Sequence, residues 1–306
     1  MTFDPNARID SSRVTRSSGG RGKGIAVGGG IGGIVIVVIT LLLGGDPSSV
    51  IGQLGGGDSS PSIESGAGTI EGCKTGADAN ANVDCRVTAT VNSLDQVWEA
   101  QLAPQTGVAY QQPGVRIFTG SVSTGCGNAT SEVGPFYCPA DSTAYFDTGF
   151  FQVLVDRFGS SGGPLAQEYV VAHEFGHHIQ NQLGDIGRAQ ADPNGPESGA
   201  VRTELQADCY AGIWANYSDD LAAPGTDSPL LQALTEQDVS DALSAASSVG
   251  DDRIQQASTG RVNPEGWTHG SSEQRQLWFQ AGYRTGEVAA CNTYGASDLN
   301  DPSSVR

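Results

Sequence analysis

The sequence predicts an α+β domain, mostly helical with a small sheet, preceded by one membrane-crossing helix. Three observations lead there. An uncharged apolar run, Ile25–Leu43, is 19 residues long, about the length that crosses a bilayer core. Beyond it, segments around 165–182, around Glu204, over 235–256 and from Ser271 onward read as helices. Only two short runs, Val115–Phe118 and Ser142–Phe146, read as strands between them.

Taken in order, residues 1–24 read as a disordered tail. They hold Arg8, Arg13, Arg16, Arg21 and Lys23 against Asp4 and Asp10. By the positive-inside rule that excess puts the tail in the cytoplasm and everything after Leu43 outside. The basic stretch is long for a cleaved signal peptide and no A-x-A site follows the apolar run, so residues 25–43 are expected to be an uncleaved signal anchor of a single-pass membrane protein. Gly28/Gly32 and Gly29/Gly33 have the spacing at which such spans pair, which allows a homodimer. Residues 44–68, rich in Gly, Ser, Asp and Pro, read as a flexible linker, and 69–306 as one folded domain. Inside it, Ser93–Leu102 is expected to be a helix with Gln96 closing a capping box on Ser93, and Gly184–Gly199 a mobile loop. The final helix starts at Ser271, with Gln274 three residues on in the same box pattern.

Charge and cysteines narrow the setting. The chain carries a formal charge of −18, and the part after the apolar run is more acidic still. No basic patch is interleaved with aromatics, which argues against nucleic acid as a partner. All six cysteines follow the apolar run, as expected of an oxidising compartment. Short loops favour Cys73–Cys85 and Cys126–Cys138, which leaves Cys209–Cys291.

Chemistry is concentrated in His173-Glu174-Phe175-Gly176-His177. In a helix, residues four apart share a face, so both imidazoles address one metal ion while Glu174 stands beside them. Two imidazoles suit zinc, and a carboxylate next to a metal-activated water is what hydrolysis needs. A third histidine ligand would sit at position 183 behind a glycine at 180. Those places hold Leu183 and Gln180, so the third ligand lies elsewhere. Glu204 and Asp208 form E-x-x-x-D on a second apolar helix: Glu204 as third ligand of a single Zn2+, Asp208 as acceptor of a ligating histidine's N–H. His269, just ahead of the last helix, is placed to donate to an oxyanion. Arg275 reads as a structural partner of a buried carboxylate.

HEFGHHIQ at 173–180, ELQADCYAGIWA at 204–215, DDRIQ at 251–255, THGSSEQRQLWFQAGY at 268–283, CGNATSEVGPFYCPAD at 126–141 and the GGDPS junction at 44–48 together resemble the neutral zinc metallopeptidase family of bacteria. More distantly, the H-E-x-x-H…E-x-x-x-D…H layout is similar to the gluzincin peptidases. The resemblance implies a single zincin-like, gluzincin-type domain and a peptide or protein substrate. It also implies a strand at Ser142–Phe146 edging the cleft, with His269 lining it. The expected activity is that of a membrane-anchored extracytoplasmic zinc endopeptidase with Glu174 as general base. The rival readings are a zinc amidase acting on cell-wall crosslinks and a non-catalytic zinc-stabilised binding domain. Retention of Glu174, which holding a metal does not require, speaks against the last.

Overall fold

The computed structural model describes residues 2–17, 67–223 and 229–305. The run 25–43, its glycine pairs and most of the predicted linker lie outside these residues. Among the described residues no helix is long and apolar enough to cross a membrane.

The main departure from expectation comes at the start of the chain. Residues 2–17 are not a disordered tail: they are built into the domain. Phe3 and Val14 have no exposed surface. Strand β1, Thr15–Ser17, pairs antiparallel with β2, Ala67–Thr69, and parallel with β3, Gly114–Ile117. The five-stranded sheet continues from β3 to β7, Thr143–Phe146, and ends on β6, Phe136–Cys138. Two of the five basic residues read as a topogenic signal have acidic partners inside the fold, while Arg21 and Lys23 lie outside the described residues. Arg13 donates to Asp95 at 2.6 Å, and Arg16 pairs with Asp84. Both acids lie far downstream, so nothing local in the sequence reveals these pairs. The sheet also corrects the cleft-edge expectation, because β7 is flanked on both sides and β6 is the edge strand. A separate hairpin, β4 (Ser121–Thr124) and β5 (Gly127–Thr130), completes the β structure described.

The helices pack against this sheet and each other. After α1, Gly76–Ala81, comes α2, Val83–Thr106, far longer than predicted. Its N-cap is Asn82, whose side chain accepts from Asp84 and Cys85 N–H; Ser93 lies mid-helix, buried, accepting from the Trp214 indole at 3.0 Å. A serine that hydrogen-bonds another helix is indistinguishable, in sequence, from one that caps its own. Helix α3 is Phe150–Phe158, and α4, Pro164–Leu183, carries the two spaced histidines, with Pro164 in its first turn and left-handed Gly184 ending it. The segment expected to be a mobile loop contains a short turn of helix, α5, Arg188–Ala191, and Arg188 lies over the Tyr294 ring at 4.2 Å. Helix α6, Gly199–Tyr217, bears Glu204 and Asp208.

The helix expected over 235–256 is two: α7, Glu236–Ser248, and α8, Asp251–Thr259. They break at Gly250, where a Cβ would stand 2.4 Å from the Ser272 nitrogen. Helix α9, Ser272–Thr285, starts with the expected Ser271–Gln274 capping box.

Two glycines set the distances between the site-bearing helices. A Cβ on Gly176 of α4 would stand 2.8 Å from the Ala207 carbonyl oxygen of α6, and one on Gly282 of α9 would overlap the Cys209 carbonyl. With hydrogen there instead, α4, α6 and α9 run backbone against backbone, and their short polar side chains can meet. Disulfides join Cys73 to Cys85, Cys126 to Cys138 and Cys209 to Cys291, the pairing that loop length favoured; the last ties α6 to the segment after α9.

Candidate active site and metal centre

Each of the helices α4, α6 and α9 gives the site one layer. From α4, His173 and His177 project on the same face, as their spacing requires. From α6, Glu204 reaches between them: its Oε2 is 3.2 Å from His173 Nε2 and its Oε1 3.5 Å from His177 Nε2. All three residues are buried, and their ligand atoms lie within 4.8 Å of one another.

The hydrogen bonds behind these groups show which atoms are free to bind. Asp208 Oδ1 lies 2.8 Å from His173 Nδ1. Burial works to raise the Asp208 pKa, but Arg275 and His173 outweigh it and hold the group below its usual range. As a carboxylate it only accepts, so Nδ1 carries the hydrogen. His177 Nδ1 faces Gln180 Oε1 at 2.8 Å; the Gln180 amide nitrogen is already donating to Thr203 O and Gln206 Oε1, so its oxygen must accept. Both imidazoles therefore turn an Nε2 lone pair toward the Glu204 carboxylate. Three acceptors converging in a buried space need a cation or a proton between them. The two nitrogen–oxygen spacings match the roughly 3.3–3.6 Å between ligands that tetrahedral zinc imposes with bonds of about 2.0–2.2 Å. The donor set thus fits zinc.

The charge states agree. Burial lowers the His173 pKa, yet Asp208 and Glu204 together push it up to about 9. Glu204 sits well below its usual value: desolvation opposes ionisation, and His177, His269 and His173 overcome it. Without a metal, a proton on His173 neutralises part of this cluster.

Arg275 of α9 anchors the rear. Its Nε donates to Asp208 Oδ2 at 2.8 Å and an Nη to Oδ1 at 2.9 Å, while the Tyr169 hydroxyl also donates to Asp208. The expectation that Arg275 pairs with a buried carboxylate is met, and its partner is the acid that orients a ligand. His178, the third histidine of the motif region, turns away. It bonds to the Tyr137 hydroxyl and the Gln111 carbonyl, and burial lowers its pKa to about 4, so it is a neutral packing residue.

Glu174 lies in the wall of the same cleft, buried, with its pKa raised by desolvation and by Glu204 against the pull of His177 and His173. His269 lines the same cleft from the loop before α9. Sequence reasoning missed what holds that loop. Asp251, first residue of α8, accepts three successive backbone N–H groups from Thr268, His269 and Gly270, at 2.7, 2.6 and 3.0 Å. Its other oxygen is 3.6 Å from His269 Nδ1, and Thr268 Oγ1 is 2.8 Å from the same atom, which leaves Nε2 toward the cleft. Gln180 was missed as well, although three residues after His177 on one helix face is a readable position.

Comparison with known proteins agrees with this geometry. An uncharacterized protein of Mycobacterium tuberculosis is 54% identical over 299 residues, covering 98% of this chain and all of its own. The uncharacterized protein YpfJ of Escherichia coli K12 is 36% identical over 289 residues, covering 92% of this chain and 94% of its own. No solved structure matches. The profile of the family described as "Putative neutral zinc metallopeptidase" matches residues 5–294, a span that takes in the N-terminal segment along with every residue of the site, and the chain belongs to that family.

Proposed function

We propose that this protein is a zinc-dependent endopeptidase working outside the cytoplasm, with His173, His177 and Glu204 as ligands and Glu174 as general base. The observation that carries this reading is Glu174 itself, a buried carboxyl in the cleft wall beside three converging ligand groups, with no part in holding them. When bound, zinc supplies Lewis acidity, polarising the scissile carbonyl and lowering the pKa of a water toward about 7.

The rest is done by the chain. Glu174 takes the proton of the attacking water and passes it to the leaving amine; its raised pKa suits it to both transfers. His269, held by Asp251 and Thr268, donates from Nε2 to the carbonyl oxygen as charge develops there. Asp208 and Arg275 keep His173 in the tautomer that leaves Nε2 free. Glu174→Gln should retain zinc and fold yet lower peptide hydrolysis by about 10²–10⁴-fold. Equal rates for variant and wild type on any cleaved peptide would reject the assignment.

Three disulfides in one domain support an oxidising location. The apolar run 25–43 is proposed as its attachment to the membrane. Because β1 pairs with β2 and β3, a single crossing with residues 2–17 in the cytoplasm does not fit the sheet, and the proposed attachment leaves both flanks of that run on the outer side.

A further inference from the structure

The cleft that contains the ligand cluster has two unlike walls. One is polar and fully committed: its titratable groups are His173, His177, Glu204, Glu174, His269 and Arg275 together with Tyr169, and each already has a place in the site. The other is apolar throughout. Helix α3 contributes Phe150, Leu154 and Phe158, four residues apart and so on one face, and Val170, Val249 and Ile254 add to the apolar lining. Phe150, Phe158, Val170 and Val249 are only half-buried. Among the described residues the one large apolar side chain more exposed than these is Val262, at 44%. Half-buried apolar side chains occur elsewhere in the fold too, but these four line the cleft that holds the ligand cluster, where the reacting bond would lie. The open space is about 700 Å³ when its mouth and the adjoining solvent are counted.

We propose that this wall is a specificity pocket for a large apolar side chain next to the scissile bond, Leu, Ile, Met or Phe. The proposal rests on the peptidase reading and adds a substrate class to it. The surface as a whole is strongly acidic, yet the apolar wall has no carboxylate to recognise a basic residue. Selection in the pocket is by apolar contact, and the protein's net charge acts only on approach. Phe150 and Phe158 are the specificity-determining residues, because they are the large half-exposed groups of the wall and neither touches the ligand cluster through a hydrogen bond.

The test uses full-length, zinc-loaded protein and two readouts. In calorimetry, hydroxamates with an isobutyl or benzyl side chain should bind about ten- to a hundred-fold more tightly than acetohydroxamate, the scale of an apolar pocket contact. In peptide-library cleavage, large apolar residues should dominate one position flanking the cut. Phe158→Lys, at the half-exposed end of α3, should erase most of the hydroxamate difference at unchanged zinc content, and Phe158→Leu should restore it. Equal binding of all hydroxamates, or a library preference for charged or small residues, overturns the pocket and leaves the peptidase reading standing. A metal-loaded protein that cleaves no library peptide overturns both.

Discussion

Asp208→Asn keeps the shape of a side chain and removes its charge, at the point where ligand orientation and domain stability meet. The carboxylate accepts from His173 Nδ1 at 2.8 Å, from Arg275 Nε and Nη2 at 2.8 and 2.9 Å, and from the Tyr169 hydroxyl. An amide has one accepting end. Whichever way it turns, its NH2 faces a donor: Arg275 Nε in one orientation, His173 and Tyr169 in the other. Arg275, 3% exposed, is also left without its counter-charge. Stranding one partner of a buried ion pair costs about 3–5 kcal/mol of stability. Loss of the acceptor behind a ligating histidine costs about 10–100-fold in metal affinity. Urea unfolding and competition with a chromophoric chelator read the two effects separately. Adding Arg275→Met to Asp208→Asn removes the stranded charge, so stability should largely return while affinity stays low. The pH dependence should change too. With His173 at about 9, zinc must displace a proton at neutral pH, so apparent affinity in the wild type rises with pH until about 9. Without Asp208, which helps raise that value, the rise should level off at lower pH. Wild-type zinc affinity in folded Asp208→Asn would refute the orienting role.

Three further expectations are independent of that one. His269→Ala should keep zinc and KM and lower kcat by about 10²–10³-fold, the scale of one lost oxyanion donor; a change confined to KM would place His269 in binding instead. Glu168 on α4 is fully buried, and desolvation raises its pKa to about 7 despite Thr2 and Arg86. The folded state then holds a proton that the unfolded chain has released, so stability should fall as pH rises from about 4.5 to about 7, by roughly 3 kcal/mol at 1.36 per unit. Glu168→Gln should flatten that slope in urea titrations, and an unchanged slope would assign it to other groups. The Cys209→Ser/Cys291→Ser pair opens a link between residues 82 apart and should cost about 4 kcal/mol in urea unfolding; wild-type stability would show the bond carries none of it.

What the sequence made legible follows from range. His173 and His177 are four apart, Glu204 and Asp208 four apart, Ser271 and Gln274 three apart, and each pair acts within one helix. The cysteine pairing was readable because two loops are short and the third pair is what remains. Relations across the fold were not readable. Asp251 holds the backbone of His269 from another helix, and only the fold reveals that an acidic helix start faces that loop. Half of α2 escaped notice because Thr88 and Thr90, weak helix formers, satisfy their hydroxyls on the Asp84 and Arg86 carbonyls one turn back. Arg13 and Arg16 looked like a charge signal ahead of an apolar run because their acidic partners, Asp95 and Asp84, belong to α2.

The seat of β1 also sets a schedule for assembly. Strand β1, an inner strand of the sheet, leaves the ribosome before its partners, and its parallel partner β3, Arg116 opposite Thr15, is made about a hundred residues later. Until β3 has arrived, β1 offers a bare row of backbone donors and acceptors, the kind of edge that recruits other chains. Pairing of β1 with β2 must bring together residues separated by positions 18–66, but closure entropy grows only with the logarithm of length, so the long separation delays the sheet far more than it weakens it. The nascent chain is therefore most open to mispairing while its N-terminus is already out and α2 is still being made.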